Sequence, residues 1–294
     1  MNIMAKTSKK LDNFAMFILS NGRPNQVKTI RTMRRVGYTG KYYIIVDDLD
    51  PSLEEYKKNH GDHVIVFNKK DYMDTTDTID NYHTEKAVVY GRNACFDIAE
   101  DLGLDYFMEL DDDYTEFAFR FTDEKEETLY NRPVRNLDLA ILLMIDVLEN
   151  SDALSIAFGQ DGDYIGGTAN NTLYKHKVIF KCMNSFLCST KKRFSFKGTL
   201  NEDVNTVLHY GNRGRYFLTF HYVSVKQGTT QANEGGLTET YKDFGTYVKS
   251  FYSVIVRPDC VRIGVMGNFD LRVHHNVSWN KALPKMISEK YRKK

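Results

Sequence analysis

Four short apolar runs punctuate the first ~115 residues, and the stretches between them repeat apolar residues at helical spacing. The runs are Phe14–Leu19, Tyr42–Val46, Val64–Phe67 and Tyr106–Leu110. Runs apolar on both faces suit parallel strands covered by helices on each side. Between them, Val27, Ile30 and Met33 mark a helix closed by Gly37, Leu53–Asn59 marks a second, and Ala94, Ile98 and Leu102 mark a third. Only Asn68–Thr84 is polar and irregular, and it reads as a long functional loop. The expected class is α/β with a doubly wound mixed sheet, of the kind that binds nucleotides at the carboxyl ends of its strands. No GxGxxG is present, so a dinucleotide fingerprint is missing.

The second half is less regular. A helical stripe runs through Leu137, Ile141, Met144 and Leu148, and another through Tyr241, Phe244, Val248 and Phe251. Strands are expected at Ala153–Phe158, Phe217–Val225, Val261–Val265 and Leu271–Val273. No change of composition marks a boundary. One continuous domain over 13–282 is expected, with a nucleotide-binding half (13–120) and an acceptor half (121–282), flanked by basic tails at 1–12 and 283–294. The 294 residues carry 40 Lys and Arg against 39 Asp and Glu, so any nucleic-acid contact must come from a local patch. The four cysteines lack metal-ligand spacing and read as small buried hydrophobes. No apolar run is long enough for a membrane span and no signal h-region is present, which predicts a soluble cytoplasmic protein with no membrane contact.

The chemistry concentrates where strands end. Asp111-Asp112-Asp113 follows the fourth run. Three adjacent carboxylates repel one another and resist desolvation, and a divalent cation with oxygen ligands offsets both costs. Asp111 and Asp113, the outer pair, can face one metal. Ser20-Asn21-Gly22-Arg23-Pro24 follows the first run; its glycine admits a close ligand and Arg23 suits a phosphate or a base. Asp47-Asp48 ends the second run and can accept from a nucleobase or ribose. Arg92-Asn93 opens the helix before the acids. Glu202-Asp203 precedes the stripe Val204, Val207, Leu208, where a general base and a helix cap are both consistent with the pattern. Gly235-Gly236, in Asn233–Leu237, suit a loop closing over a ligand. His274 and His275 are adjacent on an expected strand and face opposite ways, so only one of them can readily reach a metal.

These pieces, in this order, resemble the GT-A glycosyltransferases, and within them the TET/JBP-associated glycosyltransferases of phages and base-J-making eukaryotes. The matching segments are Phe17–Pro24, Tyr43–Asp48, Gly91-Arg92-Asn93, Tyr106–Tyr114, Asn201-Glu202-Asp203 and Val273-His274-His275. The resemblance implies a GT-A-like sheet and transfer of a sugar from a nucleotide sugar, a UDP-sugar first among them. It implies Mn²⁺ or Mg²⁺ on Asp111 and Asp113, with His274 or His275 as a late ligand. Asn21, Arg23, Asp47, Asp48 and Arg92 would hold the nucleoside, Asp112 would touch ribose or sugar, and Gly235 and Gly236 would close over the donor. Asp203 or Glu202 would be the base of an inverting reaction; a retaining one needs none.

In that family the acceptor is the hydroxymethyl group of a modified pyrimidine in DNA, with 5-hydroxymethylcytosine the first expectation here. DNA requires local positive charge. The expected basic face is Lys175, Lys177, Lys181, Lys191, Lys192 and Arg193, with Phe194 and Phe196 interleaved. Three other readings stay open on the residues alone: a glycosyltransferase with a glycan or protein acceptor, a nucleotidyltransferase of similar fold, and a silent nucleic-acid-binding module.

Overall fold

A computed structural model describes residues 10–81, 84–123, 128–164, 179–228, 247–266 and 271–283. The amino-terminal half follows the alternation in the sequence: β1 (Phe14–Leu19), α1 (Lys28–Arg35), β2 (Lys41–Asp47), α2 (Leu53–His60), β3 (Val64–Phe67), α3 (Lys69–Met73), α4 (Val88–Asp101) and β4 (Tyr106–Asp111). β5 (Glu116–Thr122), β6 (Leu129–Pro133), α5 (Leu137–Glu149), β7 (Ile156–Gln160), β8 (Phe186–Ser189), α6 (Glu202–Gly211) and β9 (Leu218–Lys226) follow. α7 (Val248–Val256), β10 (Val261–Met266), β11 (Arg272–Val277) and α8 (Trp279–Ala282) close the described chain. The loop expected over Asn68–Thr84 is in part helical: α3 begins at Lys69, capped by the Asn68 side chain.

Nine strands form one mixed sheet in the order β3-β2-β1-β4-β8-β7-β9-β5-β6. β1 lies parallel to both β2 and β4, and β8 runs antiparallel to β4. Alternation along β1 sorts its side chains onto two faces. Met16 and Ile18 pack with Met33 of α1 and with Ile141, Met144 and Leu148 of α5. Phe17 and Leu19 pack with Val89, Cys95 and Phe96 of α4. Helices on both faces explain why β1 is apolar throughout and fully buried. All four cysteines are free and buried, as expected of small core residues.

One register opens the site. β8 pairs with β4 only from Tyr106 to Glu109, so Leu110 and Asp111 run on past their antiparallel neighbour. The acids therefore stand at a step in the sheet, next to the turn after β1. Opposite this step, Asn201 adopts a left-handed conformation (φ 55°) before α6, tolerable for an asparagine, and the next two residues begin the helix. α6 is tied to α7 through Ser253 Oγ donating to Asn205 Oδ1. Among the described residues no helix is long and apolar enough to cross a membrane.

Candidate active site

A cleft of about 590 Å³ lies over the carboxyl ends of β1, β2 and β4. Asn21, Arg23, Asp47, Arg92, the three triplet acids, Glu202, Asp203 and His275 all line it. Segments up to some 250 residues apart in the chain thus converge, as the order of the motifs implied.

At its centre is Arg92, 1% exposed. Gly91 makes this placement possible. A Cβ there would meet Leu19 Cδ2 at 2.9 Å, so only glycine lets α4 sit this close to the sheet without displacing that side chain. The guanidinium donates from Nη1 to Glu109 (3.2 Å), from Nη2 to Asp111 Oδ1 (3.2 Å) and from Nε to Glu202 Oε1 (3.0 Å). Its carbon sits 5.1 Å from the Phe186 ring centroid and 5.7 Å from that of Phe196. Burial works against its charge, but the pull of Asp111, Glu202 and Glu109 wins and holds its pKa well above the usual value. Arg92 therefore organises the acids. The nucleoside contact expected of it is not the role its surroundings give it, because its fork is already taken by carboxylates.

Around this hub one cation faces a surplus of carboxylates. Burial pushes Glu109 up to about 8 and Asp111 up to about 7, against the lowering influence of Arg92. Asp113, Glu202 and Asp203 are also raised, burial again being the largest cause. Asp113 Oδ1 is buried with no hydrogen-bond partner. An orphaned carboxylate oxygen beside a second carboxylate of raised pKa is the chemistry of a cation site. Among the described residues no three His, Cys, Asp or Glu side chains form a ready-made cage. Mg²⁺ does not need one, since it is held by one or two carboxylates together with substrate phosphates. The residues present fit that mode.

The two histidine rings stack on each other, with centroids 4.5 Å apart, rather than pointing to opposite faces of β11. His275 lines the cleft and shares a contact of 3.2 Å between its Nδ1 and Asn201 Nδ2, while His274 does not line it. Burial, with His274 and Lys249 nearby, lowers His275 to about 4. It is therefore neutral at pH 7, the form that ligates metals.

The remaining expectations divide. Asp112 is buried, and both its oxygens are engaged inside the protein: Ser20 Oγ donates to Oδ2 (2.6 Å) and Arg23 Nη1 to Oδ1 (2.9 Å). It staples the β1 turn to the triplet while still lining the cleft. Gly22, with φ 70°, donates its N–H to Asp50 Oδ2 in the same turn. Asp47 Oδ2 accepts from Asn21 Nδ2 (3.1 Å) and from Lys69 Nζ (3.2 Å). Asp48 is exposed, does not line the cleft and accepts from the Lys69 N–H at the start of α3, so it is a helix-capping residue. Gly235 and Gly236 lie outside the described residues, as do Lys175 and Lys177.

The expected basic face does not form at 191–193. β8 runs antiparallel to β4, which carries these residues to the amino end of β4, opposite the acids. Lys191 pairs with Asp105 (3.1 Å). Lys192 donates to the backbone oxygens of Leu148 and Ser151, and Arg193 pairs with Asp97 and Glu100. Phe194 and Phe196 are core residues. Lys181, by contrast, lines the cleft, ion-paired to Asp163. Three cleft residues of consequence were not singled out from sequence: Lys69, Lys249 and Gln227. Glu109, buried behind Arg92, did carry a signal, being a lone charge inside an apolar run.

The family model described as TET-Associated Glycosyltransferase matches residues 14–236. No curated protein matches the chain significantly. Among solved structures, glucosyl-3-phosphoglycerate synthase from Mycobacterium tuberculosis, in complex with Mn²⁺, UDP-glucose and phosphoglyceric acid, aligns at a TM-score of 0.47 and 8% identity over 92% of this chain and 90% of that one. S. aureus TarS 1-349 in complex with UDP-GlcNAc aligns at 0.40 and 10% identity, over 82% of this chain and 66% of that one. Likenesses this remote carry no functional assignment.

Proposed function

We propose, from the premise that this chain belongs to the TET-associated glycosyltransferase family, that its cleft moves a sugar from a nucleotide sugar to the hydroxymethyl group of a 5-hydroxymethylpyrimidine in DNA. Membership makes the protein a glycosyltransferase and sets aside the nucleotidyltransferase and the silent binding module. The observation that supports the transfer chemistry is the convergence of Asp111, Asp113, Glu202 and Asp203 on one cleft around the buried Arg92 guanidinium.

In this reading Asp111 and Asp113, with His275 lining the same cleft, would hold Mn²⁺ or Mg²⁺, which would supply positive charge to offset that of a departing diphosphate. The turn after β1 and the Asn21–Asp47–Lys69 group form the nucleoside end of the cleft, with a UDP-sugar the first donor to test. Of the two candidate bases, Glu202 is 6% exposed and tied to Arg92. Asp203 accepts only from the Val204 N–H among the described bonds, at Oδ1, and burial raises its pKa toward the working range of a base. Asp203 takes the proton of the acceptor hydroxyl as the new C–O bond forms and the C1–O(phosphate) bond breaks, its electron pair leaving on the diphosphate. That assignment is for an inverting transfer; a retaining one leaves Asp203 to orient the sugar.

The hydroxymethylpyrimidine acceptor, cytosine first, rests on the family resemblance. Among the described residues the cations lining the cleft include Lys86, Lys181 and Lys249, while the 191–193 strip lies at the other end of β4. The test is to incubate hydroxymethylated DNA with the protein, Mn²⁺ and a pool of nucleotide sugars, then digest and weigh the nucleosides. A hexose or pentose increment on the hydroxymethyl nucleoside is the expected result. Donor hydrolysis with unmodified DNA would refute the DNA acceptor and turn attention to glycans and proteins.

A further inference from the structure

We infer that Gln227 is a displaceable stand-in for the cation, its side-chain amide holding the Asp111 oxygen that the cation must take. The inference rests on the metal reading of Asp111 and Asp113 above. Asp111 has two oxygens and both are occupied. Oδ1 accepts from Arg92 Nη2 at 3.2 Å, and Oδ2 accepts from Gln227 Nε2 at 2.6 Å. Asp113 Oδ1, by contrast, is bare. A cation shared by the two carboxylates takes the bare oxygen of Asp113 and needs one oxygen of Asp111.

Arg92 cannot supply that opening. It is 1% exposed, it satisfies Glu109 and Glu202 as well, and its withdrawal would strand all three acids. Gln227 can. It is neutral and half-buried, it lies just past the end of β9 at Lys226, and Gly228 follows it. Its amide carries partial positive charge toward Asp111, the same sign as the cation it would yield to. Its other end is held as well: Asn184 Nδ2 donates to Gln227 Oε1 at 2.7 Å, from a backbone in the left-handed region (φ 58°). Asn184 is pinned in turn by Tyr114 Oη donating to its carbonyl at 2.8 Å, and Tyr114 directly follows the triplet. The chain Asn184–Gln227–Asp111 is thus preset, with Gln227 as the neutral, partly solvated link that touches Asp111. Asn184 also lines the wall formed by Gln160, Met183 and Lys181. Cation arrival at Asp111 would release Gln227 and free the Asn184 amide on that wall, so that the cation site and this wall of the cleft share one hydrogen-bonded link.

A carboxylate oxygen can accept twice. Were Gln227 to use a lone pair that the cation does not need, it would orient Asp111, and its loss would weaken cation binding. The two arrangements predict opposite signs. Mn²⁺ alone is titrated into the full chain and followed by the loss of the free-ion electron paramagnetic resonance signal, for wild type, Gln227→Ala and Asn184→Ala, with circular dichroism confirming each fold. Gln227→Ala is expected to bind Mn²⁺ about tenfold more tightly, equivalent to about 1.4 kcal/mol. Asn184→Ala, which keeps the Asp111 contact but loosens its anchor, is expected to gain less. Unchanged or weaker binding by Gln227→Ala overturns the inference and leaves the metal site standing. Absence of binding in all three proteins overturns the metal reading and the inference with it.

Discussion

Replacing Arg92 with methionine tests the organisation of the site most directly. Methionine reproduces the aliphatic stem and stays apolar beside the Phe186 and Phe196 rings, although it ends near the position of Nε. What is lost is the one positive charge among Glu109, Asp111 and Glu202. Removing one partner of a buried ion pair costs about 3–5 kcal/mol. With an unfolding entropy of about 2.1 cal/mol/K per residue, a chain of this size loses roughly 5–8 °C of Tm for that cost. The loss also depends on pH in a definite direction. Glu109 is raised to about 8 and Asp111 to about 7 in the folded protein, from ordinary values of 4.5 and 3.8. The folded state therefore binds more protons than the unfolded one between those limits, and stability falls as pH rises from about 4 to 8. Without Arg92 both values rise further, so the slope steepens. Differential scanning calorimetry of both proteins at pH 5 and pH 8 is expected to show a small deficit at pH 5 and a clearly larger one at pH 8. A deficit equal at both pH values, or below about 1 kcal/mol throughout, would refute the claim that Arg92 neutralises this cluster. Arg92→Lys, which keeps the charge but loses the planar fork, is expected to fall between the two.

Asp113→Ala is expected to reduce transfer by about 10³-fold while leaving Tm unchanged or slightly raised, because it removes a repelling carboxylate; transfer and Tm measured on one preparation check both halves. Asp203→Asn is expected to lower the transfer rate about 10²–10⁴-fold with Mn²⁺ affinity unaltered, and a retained rate would exclude Asp203 as base. Triple replacement of Lys191, Lys192 and Arg193 by alanine is expected to leave the salt dependence of DNA binding as it was. Lys249→Ala is expected to reduce the slope by about one, and the reverse outcome would place DNA on the far edge of the sheet.

The strands that build the floor of the cleft were legible because their signal is local. β1 runs from Phe14 to Leu19 and β3 from Val64 to Phe67, at the boundaries read from the apolar runs. β4 extends the fourth run by one residue, to Asp111. β5 and β8 were not read, although β5 does alternate, Glu-Phe-Ala-Phe-Arg-Phe-Thr, with Phe at every second position; β8 is only four residues long. α3 hid in a polar segment since its stability comes from the Asn68 cap and from Lys69 meeting Asp47, a residue some twenty positions earlier. The basic strip was misread for the same reason. A run of Lys and Arg is visible in one dimension, but the acids that neutralise it, Asp97, Glu100 and Asp105, reach it only through the fold.

The sequence by itself determined the mixed α/β architecture, the acids at strand ends and the order of the motifs, because side-chain periodicity and turn chemistry act over a few residues. The tertiary structure alone decided which acid answers to which cation. It placed Arg92 on Glu109, Asp111 and Glu202, spent Asp112 on the β1 turn, turned His275 rather than His274 to the cleft, and laid Gln227 across Asp111. Charge pairing in a buried site depends on distance and desolvation between groups far apart in the chain, and neither quantity is written in the order of residues.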